Sequence, residues 1–114
     1  MIKLNHKNLN VYKKSVQLVG EIYRLTESYP KSETFGLASQ MRRASVSIPS
    51  NIAEGSSRKS DKDRKRFYRI SRSSLVELDT QVEISINLNY LKNDEIKKLE
   101  KLANEVFAML SNMI

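Results

Sequence analysis

Ser60–Tyr90, SDKDRKRFYRISRSSLVELDTQVEISINLNY, is the longest periodic stretch of the chain and decides its fold. Phe67, Ser71, Leu75, Leu78, Val82 and Ile86 recur at intervals of three and four, with Ile70, Ser74, Ile84 and Leu88 widening the seam. Spacing of that kind lines one face of an α-helix. Ser60 followed by Asp63 resembles a capping box, with a shorter acid than the usual Glu. Tyr90-Leu91 and the polar Lys92-Asn93 supply the turn that ends the segment.

Working outward, three further segments show helical periodicity and none shows sustained strand alternation. The first covers about residues 9–28, with Val11, Ser15, Leu18, Ile22 and Leu25 inward and Lys13, Lys14, Gln17, Gly20, Glu21 and Arg24 outward. Tyr29-Pro30 ends it, because the residue before a proline is driven out of the α region. The second covers about residues 32–54, with Ser32 as the expected N-cap and Leu37, Met41, Ala44, Ile48 and Ile52 as its seam. Pro49 lies inside this pattern, so a kink or break is expected near Val46–Ile48. Asn51 and Glu54 are expected to cap backbone groups around it, and Gly55 to stop the helix. The fourth opens at Asn93 and carries Ile96, Leu99, Ala103, Val106, Leu110 and Met113 at the alternating spacing of a coiled-coil seam. It stays apolar to Ile114, which hints at a subunit contact. Short connections favour antiparallel neighbours, so the expected fold is all-α: a single up-down-up-down four-helix bundle over residues 1–114.

Absences narrow the chemistry. The 114 residues contain no Cys, so disulfides, thiolate metal sites and Cys nucleophiles are excluded. His6 is the one histidine and reads as a solvated residue of a polar N-terminal arm. Gly20, Gly36 and Gly55 are too far apart for a phosphate-cradling loop. No cofactor is expected, and a non-enzymatic role is the expectation. No apolar run approaches the roughly 20 residues of a membrane span, and no secretory h-region precedes the first helix. A cytoplasmic location and no membrane partner follow as expectations.

Charge is the positive signal. Arg58–Arg72 holds eight basic residues and two acids, a local net charge of +6 against +7 for the chain. Arg58, Lys62, Lys65, Arg69 and Arg72 lie on one helical face if the helix extends back that far; from Ser60 onward the last four still align. The same face continues as Val76, Asp79 and Glu83 and so turns acidic. This polarity opposes the helix macrodipole, which favours acids early and bases late. Asp61 can reach Lys65 and Asp63 can reach Arg66, leaving Arg58, Lys59, Lys62, Arg64, Arg69 and Arg72 without helical partners. Such a stripe fits nucleic-acid phosphates, an acidic surface on another protein or a neighbouring subunit, or a solvated face kept charged for solubility. Arg42 and Arg43 either extend the patch or pair with Glu77, Asp79 or Glu83 across the bundle. Phe67 is expected in the core, while Tyr68 is left open between core and base stacking.

The stretch Gly36–Ser60, GLASQMRRASVSIPSNIAEGSSRKS, resembles the bacterial 23S rRNA intervening-sequence proteins, also called the S23 family. The resemblance rests on Leu37, Gln40, Arg42-Arg43-Ala44, Ser47-Ile48, Pro49-Ser50 and Asn51-Ile52-Ala53-Glu54-Gly55. It continues in Phe67-Tyr68-Arg69-Ile70, Leu75, Glu77-Leu78, Thr80-Gln81 and Asn89-Tyr90-Leu91, so it spans nearly the whole chain. One departure is Ser73, where the family commonly has glycine; a close backbone approach at that point is put in doubt. The resemblance implies a four-helix bundle that assembles as a homopentamer. It also implies kinship with accessory proteins of diversity-generating retroelements, which associate with a reverse transcriptase and nucleic acid. The expected function is electrostatic binding of RNA or DNA through Arg42, Arg43, Arg58, Lys59, Lys62, Arg64, Lys65, Arg66, Arg69 and Arg72. The alternative is an adaptor whose charged faces serve self-assembly or a protein partner such as a reverse-transcriptase-like enzyme.

Overall fold

Four α-helices carry the chain in a computed structural model that describes residues 1–114: α1 Asn10–Thr26, α2 Leu37–Ser56, α3 Asp61–Asn87 and α4 Lys97–Asn112. Short 3-10 turns at Asn5–Asn8, Lys31–Glu33 and Asn93–Glu95 precede α1, α2 and α4. No strand is present. Ser60 caps α3 as its sequence indicates, its hydroxyl accepting from the Asp63 N–H at 3.0 Å.

The starts of α2 and α4 fall later than their polar residues suggest. Ser32 lies in the 3-10 turn after Pro30, and the Leu37 N–H donates instead to the Glu33 carboxylate at 3.0 Å. An orphan donor of the first turn is thereby satisfied from four residues upstream. Asn93 likewise belongs to a 3-10 turn, held by the Lys92 N–H donating to the Glu95 carboxylate at 2.9 Å.

Cross-helix contacts fix the topology. Along α2 and α3, Ser56 meets Tyr68, Ile48 meets Ser71, Ser47 meets Ser74 and Met41 meets Ser85, so the two run antiparallel. Lys14 pairs with Glu105 and Glu21 with Lys98, which makes α1 and α4 antiparallel too. Arg72 near Ser111 and the turn at Leu88–Lys92 complete an up-down-up-down bundle ordered α1-α2-α3-α4 around its axis. Leu18, Ile22, Met41, Ile48, Ile52, Leu78, Val106 and Leu110 fill its centre with essentially no solvent exposure. The α3–α4 contact is the sparsest of the four, and a groove of about 410 Å³ opens between these helices.

Pro49 does not break α2, which continues through it to Ser56. Proline removes the donor that the Ser45 carbonyl would use. Side chains crowd the neighbouring carbonyls: Asn51 Nδ2 donates to the Ser47 carbonyl at 2.8 Å and Ser71 Oγ to the Ile48 carbonyl at 2.9 Å. Asn51 thus has the expected backbone role, whereas Glu54 accepts from Arg58 and Ser57 side chains instead. Gly55 lies within α2, one residue before its end, at a tight approach: a Cβ there would sit 2.8 Å from Tyr68 Cε1 and 3.0 Å from Phe67 Cβ.

Ile70, Ile84 and Leu88, expected to widen the α3 seam, are exposed, and three further side chains depart from their expected surroundings. Glu21, expected outward, is only 6% exposed, because α1 contacts α4 as well as α2 and so buries a wider arc than its apolar seam. Its carboxylate is held by Arg24 at 2.8 Å and faces Lys98 at 3.7 Å. The Arg24 hydrogen bond, helped by Lys98, keeps its pKa below the usual carboxylate range despite burial. His6 is half-buried rather than solvated, its ring edge-on to Tyr12 with centroids 4.7 Å apart. Phe67, expected in the core, is half-buried, while Tyr68 takes the core position.

Candidate nucleic-acid interface

Tracing α3 back from Val82 explains the exchange of the two aromatics. The buried series is Val82, Leu78, Leu75, Ser71 and Tyr68, alternating four and three, which keeps one face over many turns. Successive steps of four, as from Leu75 to Ser71 to Phe67, drift off that face. Tyr68 is therefore 7% exposed, its hydroxyl sharing a hydrogen bond with Ser56 Oγ at 3.0 Å. It closes the α2–α3 corner and offers no ring to a base.

Phe67 turns instead into the basic cluster. The Arg58 guanidinium lies 4.7 Å from its ring centroid and that of Arg66 lies 4.4 Å away. Cation–π contacts at an exposed site are worth about 0.5–1 kcal/mol each. The ring thus holds two arginines that would otherwise sample many rotamers.

Arg58 is not on α3. It sits in the turn after α2 and pairs with Glu54 at 3.4 Å. Lys59 shares that turn and is exposed. On α3, Lys65 meets Asp61 at 3.1 Å and Arg66 meets Asp63 at 3.7 Å, the two pairs the spacing predicts. Arg64, expected without a partner, lies 3.8 Å from Asp61 and donates to the Arg58 carbonyl at 3.1 Å. Arg72 leans onto α4, donating to Ser111 Oγ at 3.2 Å beside the Phe107 ring. Lys59, Lys62 and Arg69 are exposed and form no ion pair. The four surface pairs are weak, typically about 0–1 kcal/mol, so their arginines and lysine can exchange carboxylate for phosphate at little cost. From Lys62 to Arg72 the stripe runs about 15 Å along the helix axis.

Arg42 and Arg43 lie apart from this cluster. The antiparallel register sets them against the acidic half of α3, several turns from Lys62. Arg42 does not reach Glu77, Asp79 or Glu83; it binds α1, through Thr26 Oγ1 at 2.9 Å, Glu27 at 3.4 Å and the Tyr23 ring at 4.6 Å. Arg43 is exposed and lines a polar cleft of about 270 Å³ with Gln40, Ser47, Ser74 and Glu77, without an ion pair to Glu77.

The bundle adds residues that linear spacing does not show. Antiparallel helices place the start of α1 at the same end as the α2–α3 turn, so Lys3, Lys7 and Lys13 enlarge the basic end. Only the up-down topology connects them to the stripe. Ser73, where the family commonly has glycine, is exposed. No group of three or more His, Asp or Glu residues is placed to hold a metal ion. No helix is long and apolar enough to cross a membrane.

Residues 7–112 match the model of the 23S rRNA-intervening sequence protein family. Among five similar solved chains is a crystal structure, at 1.70 Å, of a protein of unknown function from the S23 ribosomal protein family of Bacteroides thetaiotaomicron VPI-5482. It shares 22% identity at a TM-score of 0.83, covering 91% of this chain and 97% of that one, a likeness of fold. No curated protein gives a match.

Proposed function

As the chain belongs to the 23S rRNA-intervening sequence protein family, we propose that it is a non-enzymatic, homo-oligomeric nucleic-acid-binding bundle. In this reading the oligomer is a pentamer. RNA or DNA phosphates are gripped by Arg58, Lys59, Lys62, Arg64, Lys65, Arg66, Arg69 and Arg72, with Arg42 and Arg43 peripheral. The observation that carries the reading is the unpaired, exposed set Lys59, Lys62 and Arg69 within a cluster whose polarity opposes its own helix dipole. A phosphate strand supplies negative charge beyond that of Asp61 and Asp63 to an end of α3 where bases outnumber acids, and contacts of this kind carry no sequence information.

Fluorescence anisotropy of labelled single-stranded RNA and duplex DNA tests it. If Lys62, Lys65, Arg69 and Arg72 each neutralise one phosphate, raising salt from about 50 to about 200 mM weakens binding about 50-fold for a single strand and about 150-fold for a duplex. Replacing all four by Gln removes binding and leaves the oligomer mass unchanged. Loss of the oligomer in that variant would make the stripe an interface and sink the reading.

A second reading, an adaptor for a protein such as a reverse-transcriptase-like enzyme, is favoured by the acidic continuation of the same helix at Asp79 and Glu83. Absence of nucleic-acid binding at about 50 mM salt would select it, since phosphate contacts are strongest at low salt.

A further inference from the structure

Phe35 is 96% exposed, which leaves a phenyl ring almost entirely in water. Its loop is nevertheless braced. The Glu33 carboxylate accepts from the Leu37 N–H at 3.0 Å and from the Tyr90 hydroxyl at 3.0 Å, and Tyr90 in turn lies against the buried Tyr29 ring. The Glu33 N–H donates to the Pro30 carbonyl at 2.9 Å. A loop fixed from both sides while presenting an aromatic side chain to solvent is a preorganised anchor without a partner. Lys31, four residues earlier, is exposed and forms no ion pair.

The groove between α3 and α4 has the complementary chemistry. Its floor is apolar, built from Leu75, Val82, Ile86, Ile96 and Leu99. Val76, 52% exposed, and Phe107, 43% exposed, form its lips. Asp79, Glu83 and Glu100 line it as well, exposed and without an ion pair in their own chain. An apolar slot rimmed by unpaired acids fits an apolar side chain that has a cation beside it.

We propose that Phe35 of one copy seats in the α3–α4 groove of the next, with Lys31 facing the rim of Asp79, Glu83 and Glu100. The inference rests on the homo-oligomeric reading above and specifies its joint. Because the knob and the slot are different patches, the contact is heterologous: repeated, it closes into a ring or runs on as a filament. It leaves Lys59, Lys62 and Arg69 free for phosphate, since none of the three lines the groove.

Mass measurement by light scattering on size-exclusion chromatography, together with cross-linking, tests it. Burial of a phenyl side chain multiplies each association constant by roughly 10- to 150-fold. Phe35→Ser, which removes a side chain with almost no contacts in its own chain, is expected to keep the helical circular dichroism and to lower the mass toward 13.2 kDa. Lys31→Glu is expected to weaken assembly in the same direction. The chain lacks cysteine, so Thr34→Cys, which keeps the neighbouring Phe35 ring, combined with Asn104→Cys at the groove gives, on oxidation, a ladder of covalent oligomers. Each single variant gives at most a dimer. A wild-type oligomer whose mass survives Phe35→Ser, with no ladder from the double variant, overturns this joint and leaves the oligomer standing. A wild-type mass of 13.2 kDa overturns both.

Discussion

Gly55→Ala and Gly20→Ala are the same chemical change in two helices, and the structure gives them opposite signs. At Gly20, in the middle of α1, a new Cβ meets no heavy atom within 4 Å. The substitution therefore brings only the helix-propensity gain, about 0.5–1 kcal/mol. At Gly55 the same Cβ would lie 2.8 Å from Tyr68 Cε1 and 3.0 Å from both Tyr68 Cδ1 and Phe67 Cβ. None of these is the free end of a flexible side chain. Tyr68 is pinned in the core and by Ser56, so α2 and α3 must part. Overpacking of this kind costs about 1–3 kcal/mol, and the Tyr68–Ser56 hydrogen bond adds about 0.5–1.5 kcal/mol if it is lost. Against the propensity gain, the net is a destabilisation of about 1–3 kcal/mol. In a chain of this size that lowers the melting temperature by roughly 4–12 °C, while Gly20→Ala raises it by roughly 2–4 °C. Thermal unfolding followed by circular dichroism, at one protein concentration for all variants, reads both. A Gly55→Ala melting temperature at or above that of Gly20→Ala would refute the close approach of the two helices.

Two further outcomes follow from buried polar groups. Arg24, and to a lesser degree Lys98, lowers the Glu21 pKa, and Lys14 lowers that of Glu105, so the folded chain binds fewer protons in acid than the unfolded one. Their stabilisation is present above the unfolded carboxylate pKa of about 4.3 and is lost as pH falls through the lower folded values. Glu21→Gln is expected to be less stable than wild type at pH 7 and nearly equal to it at about pH 2–3; a gap that stays constant across a urea-unfolding series would contradict this. Ser71→Ala removes the hydroxyl that serves the buried Ile48 carbonyl beside Pro49. Because α2 continues past Ile52, whose N–H also serves that carbonyl, a loss of about 0.5–1.5 kcal/mol is expected from the same unfolding measurement, and an unchanged midpoint would show that the carbonyl has no need of the hydroxyl.

The helices were legible because their seams hold a repeat near three and a half: Leu99, Val106 and Leu110 in α4, and Ile96 just before it, are buried as their spacing indicates. The α3 seam was misread where it was extended by fours, which put Phe67 in place of Tyr68, and where it was widened to Ile70, Ile84 and Leu88, which the structure leaves exposed. The surroundings of Glu21 were hidden for another reason. Polarity marks a residue as outward, but a helix with two neighbours can bury an acid between them when each brings a cation, here Arg24 and Lys98. Within the basic end, the pairs Asp61–Lys65 and Asp63–Arg66 are local and so were readable. Arg42 on Thr26 and Arg72 on Ser111 join residues far apart in sequence, and no one-dimensional pattern contains them.

The crowding of positive charge at the amino-terminal end of α3 ties the integrity of the fold to its ionic surroundings. Repulsion among Arg58, Lys59, Lys62, Arg64 and Arg69 relaxes as counterions gather, over a distance of about 8–10 Å at ordinary ionic strength. Added salt is therefore expected to tighten this corner of the protein and, under the proposed function, to loosen its hold on a polyanion. If the proposed nucleic-acid role holds, a bound strand does for the corner what salt does, and melting temperature and affinity are expected to respond to salt in opposite directions.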